Sequence, residues 1–186
     1  MSAQPASPAR RPGLALWLPL VLFGGFLALV VYGLVRPDNR EVASTFIGKP
    51  IPAFALPPAS ADRPGLSSAQ FVGGKPRLLN IFASWCGPCA VESPQLAQLA
   101  KAGAEIDGVA IRDRKDDLAR FLAANGNPFA RIGQDDLSKV QIGIGSSGVP
   151  ETFVVDAHGV IRHQHIGAIM PEDVPVILAK LKEAEQ

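Results

Sequence analysis

Cysteine and histidine are scarce in this sequence, with two cysteines and three histidines among 186 residues. A structural zinc site needs four ligands. Besides the cysteines, only His158, His163 and His165 could supply soft ligands, and all three fall on one predicted hairpin. A disulfide between Cys86 and Cys89 would close so small a loop that it would stabilise the fold only weakly. The sequence therefore predicts no metal site and no structural role for the cysteine pair.

An excess of charge of one sign is also missing. The formal net charge is +1, which gives no electrostatic basis for binding nucleic acid. Residues 1–36 hold three basic residues and no acidic residue, whereas the other 150 residues hold 15 basic and 17 acidic residues. The predicted globular part is therefore nearly neutral, and nothing in its charge indicates a polyanionic partner.

Charge is absent altogether from Pro12 to Val35. These 24 residues would form a helix of about 36 Å, which is long enough to cross a hydrocarbon core of about 30 Å. Trp17 and Tyr32 lie near its two ends, where interfacial aromatic residues belong. A cleaved signal peptide would have a shorter apolar region followed by a small-residue cleavage site, and no such site follows here. We therefore predict a tail over residues 1–11 and a transmembrane anchor over residues 12–35.

The basic residues on either side of this apolar run do not settle its orientation. Arg10 and Arg11 favour a cytoplasmic N-terminus, whereas Arg36 and Arg40 oppose it. A reactive cysteine pair on an anchored domain suits the side of the membrane where disulfides form. The sequence therefore predicts a cytoplasmic tail and a globular domain outside the cytoplasm.

Strand and helix patterns alternate beyond the anchor. A proline-rich run over residues 48–58 predicts an extended edge segment, because proline cannot serve a central strand. The predicted strands are 77–83, 106–111, 151–155 and 160–166, and the predicted helices are 67–71, 90–101, 115–124, 137–142 and 171–184. Strands that alternate with helices favour parallel pairing, and the last two strands form a hairpin. The predicted fold is an α/β fold with a mixed central sheet flanked by helices.

The two cysteines form the motif Cys86-Gly87-Pro88-Cys89 between a predicted strand and a predicted helix. The free N–H groups and partial positive charge of a helix start favour a thiolate over a thiol. Cys89 can then attack a mixed disulfide that Cys86 has formed. Of zinc binding, a structural disulfide and redox catalysis, the pattern favours redox catalysis.

A second motif, residues 148–152, precedes the predicted hairpin and contains Val149 and Pro150. A cis proline there would lie against Cys86 and would leave the flanking backbone free to bind an extended peptide. A trans proline that merely begins a strand is the alternative, since only about 5–6% of X-Pro bonds are cis.

With both motifs present, the sequence resembles the thioredoxin superfamily. In finer detail it is similar to the membrane-anchored CcmG/DsbE family of cytochrome c maturation. The similar segments are 78–86, 89–94, 126–129, 148–153, 159–162 and 165–167, which read LLNIFASWC, CAVESP, GNPF, GVPETF, GVIR and HIG. The resemblance implies a thioredoxin-like domain over residues 47–186, joined to the anchor by a linker over residues 36–46.

The resemblance also implies where the protein works and with what. In this family the domain faces the periplasm from the bacterial inner membrane and is kept reduced by electrons passed through the membrane. The implied substrate is a disulfide in apocytochrome c or in a cytochrome maturation partner, which is reduced so that haem can attach. The implied electron donor is a membrane protein of the thiol-reducing pathway, and no metal or organic cofactor is needed.

The roles of the site residues follow from the same resemblance. Cys86 is the nucleophile and Cys89 resolves the mixed disulfide, so the two form a redox-active disulfide. The residues expected around the substrate are Trp85, Val149, Pro150 and Glu151.

Proton transfer is expected to differ from that of thioredoxin. Thioredoxin carries a buried aspartate six residues before its first cysteine, and this chain has Asn80 there. Glu92 follows Cys89 by three residues on the predicted helix and can approach its thiol. We predict that Glu92, with Glu151 as a further candidate, replaces the missing acid. The alternative for Glu92 is an ordinary solvated glutamate, which the helix dipole favours in a first turn.

Two other functions fit the same sequence. One is a reductase of similar build that serves a different exported protein. The other is a non-catalytic, membrane-tethered module that holds unfolded apocytochrome c and would keep its function without Cys86.

Overall fold

The computed structural model describes residues 17–35 and 43–185. The chain divides into two units, residues 1–40 and residues 41–186. The predicted tail (1–11) and most of the predicted linker (36–46) lie outside the described residues, so both stay predictions.

The first unit contains helix α1, which spans Leu18–Val35 and has no buried residue. Among the described residues it is the one helix that is long and apolar enough to cross a membrane, a test that a signal sequence also passes. Its bounds fall inside the predicted anchor, and its role as an anchor stays a prediction.

The second unit contains the other helices and all the strands among the described residues. In chain order the strands are β1 (Ala55–Leu56), β2 (Leu66–Ser67), β3 (Arg77–Phe82), β4 (Ile106–Ile111), β5 (Arg131–Asp135), β6 (Glu151–Val155) and β7 (Ile161–Ile166). The helices are α2 (Gly87–Lys101), α3 (Lys115–Asn125), α4 (Lys139–Gly143) and α5 (Asp173–Glu183), with a 3₁₀ turn at Ser68–Phe71.

The main sheet has the strand order β5-β4-β3-β6-β7, and β1 and β2 form a separate two-stranded sheet. β4 pairs in parallel with β3 and β5, whereas β6 runs antiparallel to β3 and β7. This is the mixed sheet that the sequence predicts, with the last two strands as the predicted hairpin.

The three central strands are buried at every residue, since their neighbours cover both faces. Packing leaves no room for a side chain at Gly108 on β4, where a Cβ atom would lie 2.8 Å from a ring carbon of Phe82. The rings of Phe82 and Phe129 stack in this space with their centroids 4.6 Å apart. The sheet therefore provides a closely packed base for the loops at its edge.

One strand and the start of one helix differ from the prediction. β5 was not predicted, because it contains a single large apolar residue, Ile132, and is defined by its pairing with β4. α2 begins at Gly87 instead of at residue 90, because Cys86 is the N-cap and Pro88 lies in the first turn, where proline is tolerated. The other predicted elements are present with ends that differ by two residues or fewer.

The proline-rich run over residues 48–58 lies along both edges of the main sheet. Pro50 bridges to Val160 beside β7, and Pro58 bridges to Gly133 on β5. The predicted edge segment is therefore confirmed.

The topology brings the functional motifs to one edge of the sheet, here the edge formed by the ends of its strands and not an outer strand. β3 and β4 are parallel, so both end at this edge, and the antiparallel strand β6 begins there. The cysteine motif follows β3, Asp113 follows β4 and Pro150 precedes β6. Three loops from distant parts of the chain therefore converge.

Candidate active site

Cys86 and Cys89 form a disulfide at the start of α2. The sulfur atoms are 2.10 Å apart and the Cα atoms 5.3 Å apart. Cys86 is the N-cap of the helix, and the backbone N–H of Cys89 donates to Cys86 Sγ at 3.2 Å. An N–H group at a helix start stabilises a thiolate. The structure therefore places the first sulfur where nucleophilic chemistry is favoured.

The loop before the cysteines is held by Asp113, which is buried. The backbone N–H of Ser84 donates to Asp113 Oδ2 at 2.6 Å, and Ser84 Oγ donates to Asp113 Oδ1 at 2.5 Å. Trp85 Nε1 donates to the backbone oxygen of Arg112 at 3.3 Å, yet 59% of Trp85 is exposed. Trp85 thus presents an open apolar surface next to the disulfide, on a loop fixed from the end of β4.

The Val149–Pro150 peptide bond is cis, which decides between the two alternatives that the sequence left open. Glu151, the next residue, pairs with Ile81 on β3. Pro150 therefore lies at the edge of the sheet from which the cysteine loop departs. Val149 is half-buried and Pro150 is buried.

Glu92 is fully buried, so the alternative of a solvated glutamate is wrong. Its Oε1 accepts a hydrogen bond from Asn80 Nδ2 at 2.9 Å, and its Oε2 accepts one from the backbone N–H of Ile169 at 3.0 Å. Asn80 Nδ2 also donates to Thr152 Oγ1 at 3.0 Å. One carboxyl group therefore joins α2 to the central strand and to the loop before α5.

Burial raises the pKa of Glu92 to about 7, because the charged form loses its hydration. The hydrogen bonds from Ile169 and Asn80 act in the opposite direction, since they favour the charged form. A carboxyl group with this pKa can take up and release a proton near neutral pH. A carboxyl group with a near-neutral pKa thus follows Cys89 by three residues on α2.

Glu151 is also buried, and both of its oxygens accept hydrogen bonds. Oε1 accepts from the backbone N–H of Ser147 at 2.9 Å, from Ser147 Oγ at 2.6 Å and from the backbone N–H of Gly148 at 3.0 Å. Oε2 accepts from Gln164 Nε2 at 2.9 Å. Glu151 therefore binds the loop that leads into the cis proline.

The three histidines are far from the cysteines in the sequence and lie on the hairpin formed by β6 and β7. His163 and His165 are on β7, and His165 Nε2 is 3.7 Å from Asp173 Oδ2. Burial lowers the pKa of His163, and the charge of Lys180 acts in the same direction. Within residues 17–35 and 43–185, no group of three or more His, Cys, Asp or Glu side chains could hold a metal ion.

The structure brings together the residues that the sequence singled out. Those at the edge of the sheet are Cys86, Cys89, Trp85, Val149 and Pro150, and those buried close to it are Glu92 and Glu151.

Three contributions to the site were not predicted. The side chain of Asp113 could have been found from its place after a buried strand that ends at this edge. Thr152 belongs to the motif over residues 148–152, but its hydrogen-bond partner Asn80 is far away in the sequence. Nothing in the sequence marks Ile169, because it contributes a backbone N–H group.

Known proteins similar to this chain include thiol:disulfide interchange proteins. The chain matches the Redoxin family over residues 46–181. HelX of Rhodobacter capsulatus is 39% identical over 159 residues, which cover 86% of this chain and 89% of HelX. DsbE of Escherichia coli K12 is 34% identical over 182 residues, which cover 92% of this chain and 97% of DsbE. A crystal structure of a DsbE protein from Chlorobium tepidum gives a TM-score of 0.65 at 26% identity, covering 75% of this chain and 98% of that one.

Replacing Glu92 by glutamine should change how stability depends on pH. A pKa raised by burial means that neutral Glu92 supports the fold fully below about pH 4.5, and that this support is lost as the pH rises through about 7. Between about pH 4.5 and just above pH 7, the unfolding free energy of the oxidised wild-type protein should therefore fall by about 3 kcal/mol relative to that of oxidised Glu92→Gln. Urea unfolding of both proteins on either side of the range measures the difference.

The matched control is Glu172→Gln, since Glu172 is exposed and should follow the wild-type pH dependence. Parallel curves for wild-type and Glu92→Gln would contradict the assignment of a near-neutral pKa to Glu92.

Proposed function

Because this chain belongs to the Redoxin family and is a thiol-disulfide oxidoreductase of the DsbE/HelX type, we propose that it reduces a disulfide in an exported protein at a membrane surface. The observation that carries this proposal is the Cys86–Cys89 disulfide at the start of α2, at the same edge of the sheet as the cis Pro150. This arrangement offers a nucleophilic sulfur, a second sulfur to resolve the intermediate, and a backbone segment to hold a peptide.

The reaction starts from the reduced pair. The Cys86 thiolate attacks one sulfur of the substrate disulfide, which forms a mixed disulfide and releases the first substrate thiolate. The Cys89 thiolate then attacks Cys86 Sγ, which releases the second substrate thiolate and forms the Cys86–Cys89 disulfide. Two electrons pass to the substrate in each cycle, and a membrane electron donor of the thiol-reducing pathway returns two electrons to the pair.

Glu92 takes the proton from the Cys89 thiol before the second attack. It follows Cys89 by three residues on α2, a spacing that puts both side chains on one face of the helix. With a pKa of about 7, a fraction of Glu92 is ionised and can accept this proton at neutral pH. Asn80 Oδ1 has no hydrogen-bond partner among the described residues. A rotation of the Asn80 amide would turn this oxygen towards the protonated carboxyl group.

The substrate binds as an extended segment beside Val149 and Pro150, with Trp85 as an apolar surface on the other side of the cysteine motif. The exposure of Trp85 supports this role, since its indole is held at one end and open to solvent over most of its area. Glu151 acts indirectly in this proposal, because its carboxylate is bonded to Ser147 and Gly148 in the loop before the cis proline.

We place the reaction in the periplasm, with α1 as a single-pass anchor in the inner membrane and the N-terminus in the cytoplasm. The length and apolar composition of α1 support the anchor, and the reactive cysteine pair supports the compartment. The proposed substrate is the disulfide of apocytochrome c, or of a cytochrome maturation partner, because haem attaches to free thiols.

A Cys89→Ser variant should trap the substrate on Cys86, because the second attack is removed while the first is kept. The expected result is a mixed disulfide with apocytochrome c or a cytochrome maturation protein, seen on a non-reducing gel and identified by mass spectrometry. The double variant Cys86→Ala/Cys89→Ser is the control and should trap nothing. Capture of other exported proteins alone would assign the chain to a different substrate.

A Glu92→Gln variant should slow the second attack in a pH-dependent way. In the wild type, the rate at which a preformed mixed disulfide decays should increase as the pH rises through about 7. In the variant, the rate should show no such inflection. Above this pH the variant should be roughly 100-fold slower, the lower end of what a positioned general base supplies. Rapid-quench measurement of the decay tests this, and an unchanged pH profile would rule out Glu92 as the base.

A further inference from the structure

Among the described residues of the globular unit, which begin at residue 43, Ser44 is the first that is buried. Its Oγ donates to the backbone oxygen of Ile144 at 2.6 Å and accepts from the backbone N–H of Phe46 at 3.0 Å. Gly145, the next residue after Ile144, approaches so closely that a Cβ atom there would lie 2.7 Å from Ser44 Oγ. The start of the unit is therefore fastened to the segment that leads towards the cis proline.

A second connection runs from Ser44 through the edge strand β7. The backbone N–H of Ser44 donates to Gln164 Oε1 at 2.6 Å, and Gln164 Nε2 donates to Glu151 Oε2 at 2.9 Å. Gln164 pairs with Phe153 on β6, so Glu151 is its diagonal neighbour across the two strands, within reach of a long side chain.

The connection ends on the loop before the cis proline. Glu151 Oε1 holds the backbone N–H groups of Ser147 and Gly148 as well as Ser147 Oγ. A continuous set of hydrogen bonds therefore runs from Ser44 through Gln164 and Glu151 to the residues just before Val149.

The two hydrogen bonds made by the side chain at position 164 require a primary amide. The side chain must accept a hydrogen bond from Ser44 at one end and donate one to the Glu151 carboxylate at the other, which an amide can do. A glutamate at 164 could accept from Ser44 but would place a second carboxylate against Glu151. An apolar side chain would leave the Ser44 N–H group and one oxygen of the buried Glu151 without these partners.

We infer that Ser44 and Gln164 are positioning residues for disulfide exchange: through Glu151 and Ile144 they hold the 144–149 segment in the shape that receives a substrate peptide. This inference rests on the proposed function, since it concerns the peptide side of the same site. It links the beginning of the globular unit to the substrate loop without contact to either cysteine.

The test compares a peptide substrate with a small one. The reduced full-length protein is assayed with a peptide that carries the haem-attachment motif Cys-x-x-Cys-His as a disulfide, and with 2-hydroxyethyl disulfide, which needs no peptide-binding loop. Gln164→Met should raise KM for the peptide about fivefold, the factor that corresponds to one net hydrogen bond of about 1 kcal/mol. The rate with the small disulfide should stay within about twofold of the wild-type rate.

Ser44→Ala provides a second variant that keeps Gln164 and should act in the same direction. The matched control is Gln134→Met, because Gln134 also lies on an edge strand and donates its amide to a carboxylate, that of Asp136, at 2.8 Å. The control should leave both substrates unchanged. An equal loss with both substrates in Gln164→Met, or no change with either, would overturn the inference.

Failure of the inference can be told apart from failure of the proposed function. If the wild type reacts with the small disulfide but not with the peptide, the proposed function fails. Amide hydrogen exchange then tests the inference without any substrate. The Ser147 and Gly148 amides should exchange about fivefold faster in Gln164→Met than in wild type, and equal exchange rates would overturn it.

Discussion

The buried carboxyl group of Glu92 joins the elements that surround the disulfide. It reaches from α2, which carries the cysteines, to Asn80 on the central strand and to the backbone of Ile169 before α5. Asn80 extends the contact to Thr152 on β6, just after the cis proline. Because the group is removed from water, its charged form is disfavoured and its proton becomes available near neutral pH. The same burial thus supports the fold and supplies a group for the proposed proton transfer.

The topology of the sheet determines which parts of the chain meet around the disulfide. The ends of the parallel strands β3 and β4 and the beginning of the antiparallel strand β6 share one edge. Each brings a different contribution, namely the cysteine motif, Asp113 and the cis Pro150. Asp113 fixes the loop before the cysteines, and Glu151 fixes the loop before the proline. Buried carboxyl groups therefore hold both loops, the one that leads to the cysteines and the one that leads to the cis proline.

Local patterns in the sequence predicted most of the fold, and long-range contacts explain what they missed. The cysteine motif, the hairpin and the buried strands have strong local signals. β5 has no strong local signal. Its central residue is Gly133, because a Cβ atom there would lie 2.8 Å from the Leu56 side chain. The helical spacing placed Glu92 near Cys89. Its burial depends on Ile169, 77 residues away, which no periodicity reveals.

The redox state of the protein in cells tests most directly whether this oxidoreductase works as a reductant, as proposed. Thiols would be trapped with acid and an alkylating reagent, and the alkylated and disulfide forms of the full-length wild-type protein would be separated by gel mobility. A reductant must be kept with Cys86 and Cys89 as free thiols, so we expect the reduced form to predominate in the steady state. A mainly oxidised pair would contradict the account and would indicate an oxidase or an isomerase.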